Sequence, residues 1–181
     1  LTADPTVWEI MHVKNGTWES HGLPYWEEYK AGGIGYDEFA RKDVAAWQGA
    51  PLEMLDASVR EAPLMPGCAE LLGFCRDRGI LTAIVSNGLE RLALRLQREF
   101  DMARVAANRE RVADGALTGG LDILVPYAGK GEVLGGIARE FGISLEETVA
   151  VGDGRADIGM FRLAGVSVAF RPERPEVARA A

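Results

Sequence analysis

The sequence predicts an α/β fold with a parallel sheet, preceded by a small helical region. Three observations carry this. From Pro63 onward, short apolar strand-like runs alternate with helical stretches, the pattern of a doubly wound layer architecture. Residues 5 to about 62 instead hold all four tryptophans and three of the four tyrosines, with few β-branched runs. Finally, Thr148-Val149-Ala150-Val151 leads into Gly152-Asp153-Gly154, with a second acid at Asp157. A buried strand ending there holds a carboxylate at the carboxyl edge of the sheet, where open α/β sheets bind ligands. The expected organisation is a helical domain over 5–62 and an α/β core over 63–181.

In order along the chain, Tyr36–Trp47 and Leu52–Arg60 read as helices, with Gly32-Gly33-Ile34-Gly35 as a break before them. Pro66-Gly67 opens a helix to about Arg78, and Gly79 ends it. Ile80–Val85 is a β-rich run that stops at Ser86-Asn87-Gly88. Leu89–Phe100 is amphipathic, and Arg111–Ile123 reads as a hairpin turning at Asp114-Gly115. Gly131–Phe141 is expected to be helical, Thr148–Val151 a strand, Ile158–Ala164 a helix and Val166–Phe170 a strand.

Composition narrows the function. A net charge of −7, with no long run of Lys or Arg, excludes a nucleic-acid backbone as the expected partner. No apolar stretch approaches the ~20 residues of a membrane span, and Leu1–Ile10 does not read as a signal peptide. Cys68 and Cys75 lie on one helix about 10 Å apart, beyond disulfide reach, and read as buried thiols of a cytoplasmic protein.

Three sites carry chemistry. Ser86-Asn87-Gly88 stands between a strand and a helix, where a hydroxyl and free N–H groups bind an anion or simply cap the helix. Lys130 stands at a helix start, where a cation opposes the helix dipole, so a nearby anion would explain it; a solvated surface lysine is the alternative. Asp153 and Asp157, four residues apart with no counter-charge in their segment, suggest a divalent cation with oxygen ligands; a capping acid plus a surface acid is the plainer reading. Gly152-x-Gly154 is not a dinucleotide fingerprint, because Asp157 occupies the third glycine position and would repel a pyrophosphate. His12 and His21 lack metal-ligand spacing to a second His or Cys and read as packing or surface residues.

Taken in order, Ser86-Asn87-Gly88, Lys130-Gly131-Glu132 and Gly152-Asp153-Gly154-x-x-Asp157 resemble motifs two, three and four of the haloacid dehalogenase-like phosphohydrolases. Ala107-Asn108-Arg109 and Asp114–Gly119 resemble the hairpin region of the phosphoserine phosphatase branch. The resemblance implies a Rossmann-like core with a helical cap inserted after the first strand. It also implies a Mg²⁺-dependent phosphatase that acts on a small phosphorylated metabolite through an aspartyl-phosphate. Ser86, with the backbone of Asn87 and Gly88, would bind the phosphoryl oxygens. Lys130 would neutralise charge on nucleophile and phosphate, Asp153 would bind Mg²⁺, and Asp157 would steady the metal's water shell. Positioning and charge neutralisation are what phosphoryl transfer needs.

The family's first motif, which carries the nucleophilic Asp, has no counterpart here. Asp4 is the one early acid, and no apolar strand precedes it. The expectation is that the sequence begins just after that motif, leaving the sheet with a gap at its middle. Ala156 stands where motif four often has Asn, and Pro5 and Asp43 fall where phosphoserine phosphatases hold the amino acid with a cap Glu and a cap Arg, with Arg41 the nearest cation. A small phosphate ester other than phosphoserine, read by the aromatic cap, is therefore expected. A phosphotransferase using the same intermediate, and a non-catalytic binder of a phosphorylated ligand or partner, are the alternatives. The acid pair argues against a dehalogenase proper, which needs no Mg²⁺.

Overall fold

The computed structural model describes residues 1–181, which divide into two compact units, Leu1–Leu124 and Val125–Ala181. No helix is long and apolar enough to cross a membrane.

The first unit begins with four helices, α1 (Val7–Lys14), α2 (Leu23–Lys30), α3 (Tyr36–Ala46) and α4 (Leu52–Glu61), with a π-helical turn at Trp18–Gly22. The Thr6 hydroxyl caps α1 by accepting the Glu9 N–H at 3.3 Å. Val7, Met11, Val44, Trp47, Leu55 and Val59 share one core with Leu117 and Leu121, so this core joins helices to sheet. Phe39 organises an aromatic group on α2 and α3, with Tyr29 stacked on it at 5.3 Å and Trp26 at 5.9 Å. His12 is fully buried, its Nδ1 2.8 Å from the Thr17 hydroxyl and its Nε2 3.1 Å from Asp43 Oδ1, which makes it a packing residue.

The chain then forms α5 (Cys68–Asp77), β1 (Ala83–Leu89), α6 (Glu90–Phe100), β2 (Arg104–Ala113) and β3 (Ala116–Asp122). The three strands make one sheet in the order β1-β2-β3. β1 pairs parallel with β2 and β2 antiparallel with β3. The hairpin turns at Asp114 and Gly115, both at positive φ (49° and 74°), as a tight two-residue turn requires. β2 starts seven residues before the expected hairpin because its first half is occupied by β1 and only its second half by β3.

Two expectations are corrected in this unit. β1 begins three residues later than expected and runs through Ser86-Asn87-Gly88 instead of stopping before it. The backbone of Ile80 is taken up in ending α5, where Gly79 N–H donates to Arg76 C=O and Ile80 N–H to Cys75 C=O with Gly79 at φ 65°. Pairing can start only at Ala83, opposite Arg104. Cys68 is buried as expected, but Cys75 is only half-buried; both are free thiols.

The second unit contains α7 (Lys130–Glu140), β4 (Val149–Gly152), α8 (Ile158–Phe161), β5 (Val166–Ala169) and α9 (Pro175–Ala180). β4 and β5 pair parallel as a separate two-stranded sheet. β4 was expected to be buried, yet only Ala150 is; Val149 and Val151 are 61% and 52% exposed. A two-stranded sheet supplies no layer to cover both faces of each strand. α8 is three residues shorter than expected, its last turn closing with Leu163 and Ala164 N–H both donating to Met160 C=O.

Candidate active site

Each group of expected site residues is best described on its own unit. In the second unit, three elements converge. β4 ends at Gly152, which passes Asp153 to a tight turn; a 3₁₀ turn over Arg155–Asp157 brings Asp157 back; and α7 begins at Lys130. Asp157 is buried at 4% exposure and both of its carboxylate oxygens are used. Oδ1 accepts from Lys130 Nζ at 2.7 Å. Oδ2 accepts the Asp153 and Gly154 N–H groups, each at 3.0 Å.

The arrangement explains two sequence features. Lys130 stands at the unfavourable end of a helix dipole because Asp157 faces it as counter-ion. The acid pair has a counter-charge after all, supplied from 27 residues upstream. Asp157 is thus the capping acid of its own turn as well as the partner of Lys130. Gly152 is obligatory here, since a Cβ on it would lie 2.4 Å from the Asp157 carboxylate. Gly131 meets α8 just as closely, where a Cβ would lie 2.6 Å from the Gly159 carbonyl oxygen.

Asp153 differs from Asp157. No side-chain cation is bonded to it, and its carboxyl is held above the usual range by partial burial and then by the charge of Asp157, with Lys130 opposing. A divalent cation would relieve both effects. No group of three or more His, Cys, Asp or Glu side chains is arranged to hold a metal, so Asp153 would be a single carboxylate anchor. That suits Mg²⁺, which commonly takes one or two carboxylates and completes its shell with waters and phosphate oxygens.

Ser86, Asn87 and Gly88 lie on the first unit, at the carboxyl end of β1. The Ser86 hydroxyl accepts the Gly88 N–H at 3.0 Å, fixing the bend in which β1 breaks register with β2 between Val85 and Leu89. Asn108 on β2, fully buried, was not singled out from the sequence as a site residue. Its Nδ2 donates to the Asn87 carbonyl at 2.7 Å and its Oδ1 accepts the Leu124 N–H at 2.9 Å. The available signal was an amide directly after the apolar run Val105-Ala106-Ala107 of β2. Glu173 was also missed: it accepts the Arg155 N–H at 3.0 Å, and its own N–H donates to the Asp153 carbonyl at 2.9 Å.

Of the positions compared with an amino-acid-binding cap, Asp43 is 1% exposed and faces His12. Arg41 is exposed on α3 and donates to the Asp37 carbonyl.

The model of the haloacid dehalogenase-like hydrolases matches residues 1–162. The phosphoserine phosphatase of Methanocaldococcus jannaschii is 35% identical over 146 residues, 80% of this chain and 69% of that protein. Phosphoserine phosphatase SerB2 of Mycobacterium tuberculosis is 36% identical over 152 residues, 82% of this chain but only 37% of its own length. A substrate-bound phosphoserine phosphatase structure superposes with a TM-score of 0.86 at 30% identity, covering 97% of this chain and 83% of that one. A structure of a phospho-aspartyl intermediate analogue of phosphoserine phosphatase gives 0.84 at 30% identity over the same shares.

Proposed function

Because the chain belongs to the haloacid dehalogenase-like hydrolases, among their phosphoserine phosphatase-like phosphohydrolases, we propose that it works as a Mg²⁺-dependent phosphatase of small phosphate monoesters. The observation that carries the proposal is the division of labour between two acids four residues apart. Asp157 is saturated by Lys130 and two backbone N–H groups, while no cation is bonded to Asp153, which Lys130 compensates only in part.

In the proposed reaction the first aspartate of the family's first motif, which these residues do not include, attacks phosphorus as the ester P–O bond breaks, and the motif's second aspartate gives a proton to the leaving alkoxide. Water then releases phosphate and restores the carboxylate. Mg²⁺, when bound, neutralises phosphate charge. Ser86 would donate its hydroxyl hydrogen to a phosphoryl oxygen while still accepting the Gly88 N–H. Lys130, fixed by Asp157, would hold positive charge beside the transferring group, and Asp153 would anchor the cation. Preorganised charge of this kind is a large share of what phosphoryl transfer requires. The helices α1–α4 would act as the substrate-reading cap.

Hydrolysis of an aryl phosphate with Mg²⁺, and again with excess chelator, by a protein verified to carry the first-motif aspartates tests the reaction; no metal-dependent turnover by that protein would refute it. Phosphoserine compared with other small monoesters tests the substrate. With Asp43 buried against His12, the expected order places phosphoserine behind another ester.

A further inference from the structure

A groove of about 570 Å³ lies on the first unit, along α6 and bordered by α4 and β2. In a chain of net charge −7, five arginines line it: Arg60 from α4, Arg91, Arg95 and Arg98 from α6, and Arg109 from β2. Three of them have assigned work. Arg91 pairs with Asp56 at 2.9 Å, and Arg109 grips Glu90 with two hydrogen bonds of 2.7 and 2.9 Å. Arg95 donates to the carbonyls of Val59 and Ala62, at 2.6 and 2.9 Å, tying α6 to the end of α4.

Arg60 and Arg98 have no such work. Neither makes an ion pair or a hydrogen bond to the protein, and they reach the groove from different helices. The third acid of the lining, Glu110, does not offset them fully, because burial pushes its carboxyl up to about 7. Val59, Leu94 and Val112 add apolar surface. The volume is that of a small-molecule site, and with eight of its eleven lining residues charged the groove suits a charged ligand better than an apolar one.

We propose that this groove binds a small organic dianion, whose two charged ends engage Arg60 and Arg98 while its carbon body rests on the apolar patch. Planar guanidinium groups suit either carboxylate or phosphate oxygens. Such a ligand would join α4 to α6 and hold the helical region against the sheet.

The test is an NMR titration of the full chain with succinate and, separately, with phenylphosphonate, each against chloride at matched ionic strength. The expected result is saturable shifts of amides on α4, α6 and β2 for at least one ligand, the responsive one identifying the charged group. The double substitution Arg60→Ala and Arg98→Ala should weaken that binding about tenfold or more, with an unchanged melting temperature showing an intact fold. Lys130→Ala should leave it unaltered. Three results would overturn the proposal: no saturable shift with either ligand, equal binding by the double variant, or binding lost with Lys130 instead.

Discussion

At the residue scale, the site depends on one carboxylate having no spare capacity. Asp157 binds Lys130 and two backbone N–H groups, and Gly152 leaves it the room to do so. Gly152→Ala should therefore displace the carboxylate and lower Mg²⁺-dependent turnover by about 10- to 100-fold, as loss of supporting contacts around metal sites does. Steady-state kinetics on an aryl phosphate measures this, and an unchanged rate would show that Asp157 need not be fixed. Asp157→Ala strands a nearly buried lysine and should cost about 3–5 kcal/mol in denaturant unfolding. Sequence inspection recognised Asp153, Asp157 and Lys130 as chemically meaningful. It could not show that Asp157 spends both oxygens on the protein, since the second partner lies 27 residues away.

At the element scale, Asn108 holds the end of β1 in place. Its amide bridges the Asn87 carbonyl and the Leu124 N–H, linking β2 to the strand before it and to the exit from β3. Asn108→Ala leaves both groups without that partner and should destabilise the protein by about 1–3 kcal/mol. Urea unfolding would read it, and a loss under about 0.5 kcal/mol would mean that water replaces the amide. Helices α3 to α8 and the hairpin were legible from local signals, such as Gly79 after α5 and Asp114-Gly115 between β2 and β3, whereas α1, α2 and α9 were not read individually. The start of β1 was not, because α5's termination claims Ile80 before the strand can pair.

Across the whole molecule, stability should fall as pH rises through the neutral range. Glu110 is the clearest contributor, its carboxyl raised from 4.5 to about 7 by burial. Between those values the folded chain holds a proton that the unfolded chain has released. The contribution is full below 4.5 and lost as pH rises through about 7. Its size is at most about 3 kcal/mol at 1.36 kcal/mol per unit. Burial raises Asp43 in the same direction. Unfolding free energies at pH 5 and pH 8 should differ in that sense, and Glu110→Gln should flatten the difference; a higher stability at pH 8 would contradict this. Mg²⁺ should raise the melting temperature, the rise growing with the logarithm of free Mg²⁺ above its Kd. Asp153→Asn should abolish that rise without lowering the melting temperature measured in chelator, because it removes a charge disfavoured by burial and by Asp157, whereas an undiminished Mg²⁺ response would remove Asp153 as the anchor.

The sequence by itself determined the alternation of strand and helix, the glycine turns and the family. These rest on short-range periodicity and on motifs whose order survives without any contact being known. Only the tertiary structure decided which acid is committed and which is free, that Asp43 faces His12, and that Arg60 and Arg98 share one groove. Such facts concern partners distant along the chain, and burial and charge act through space.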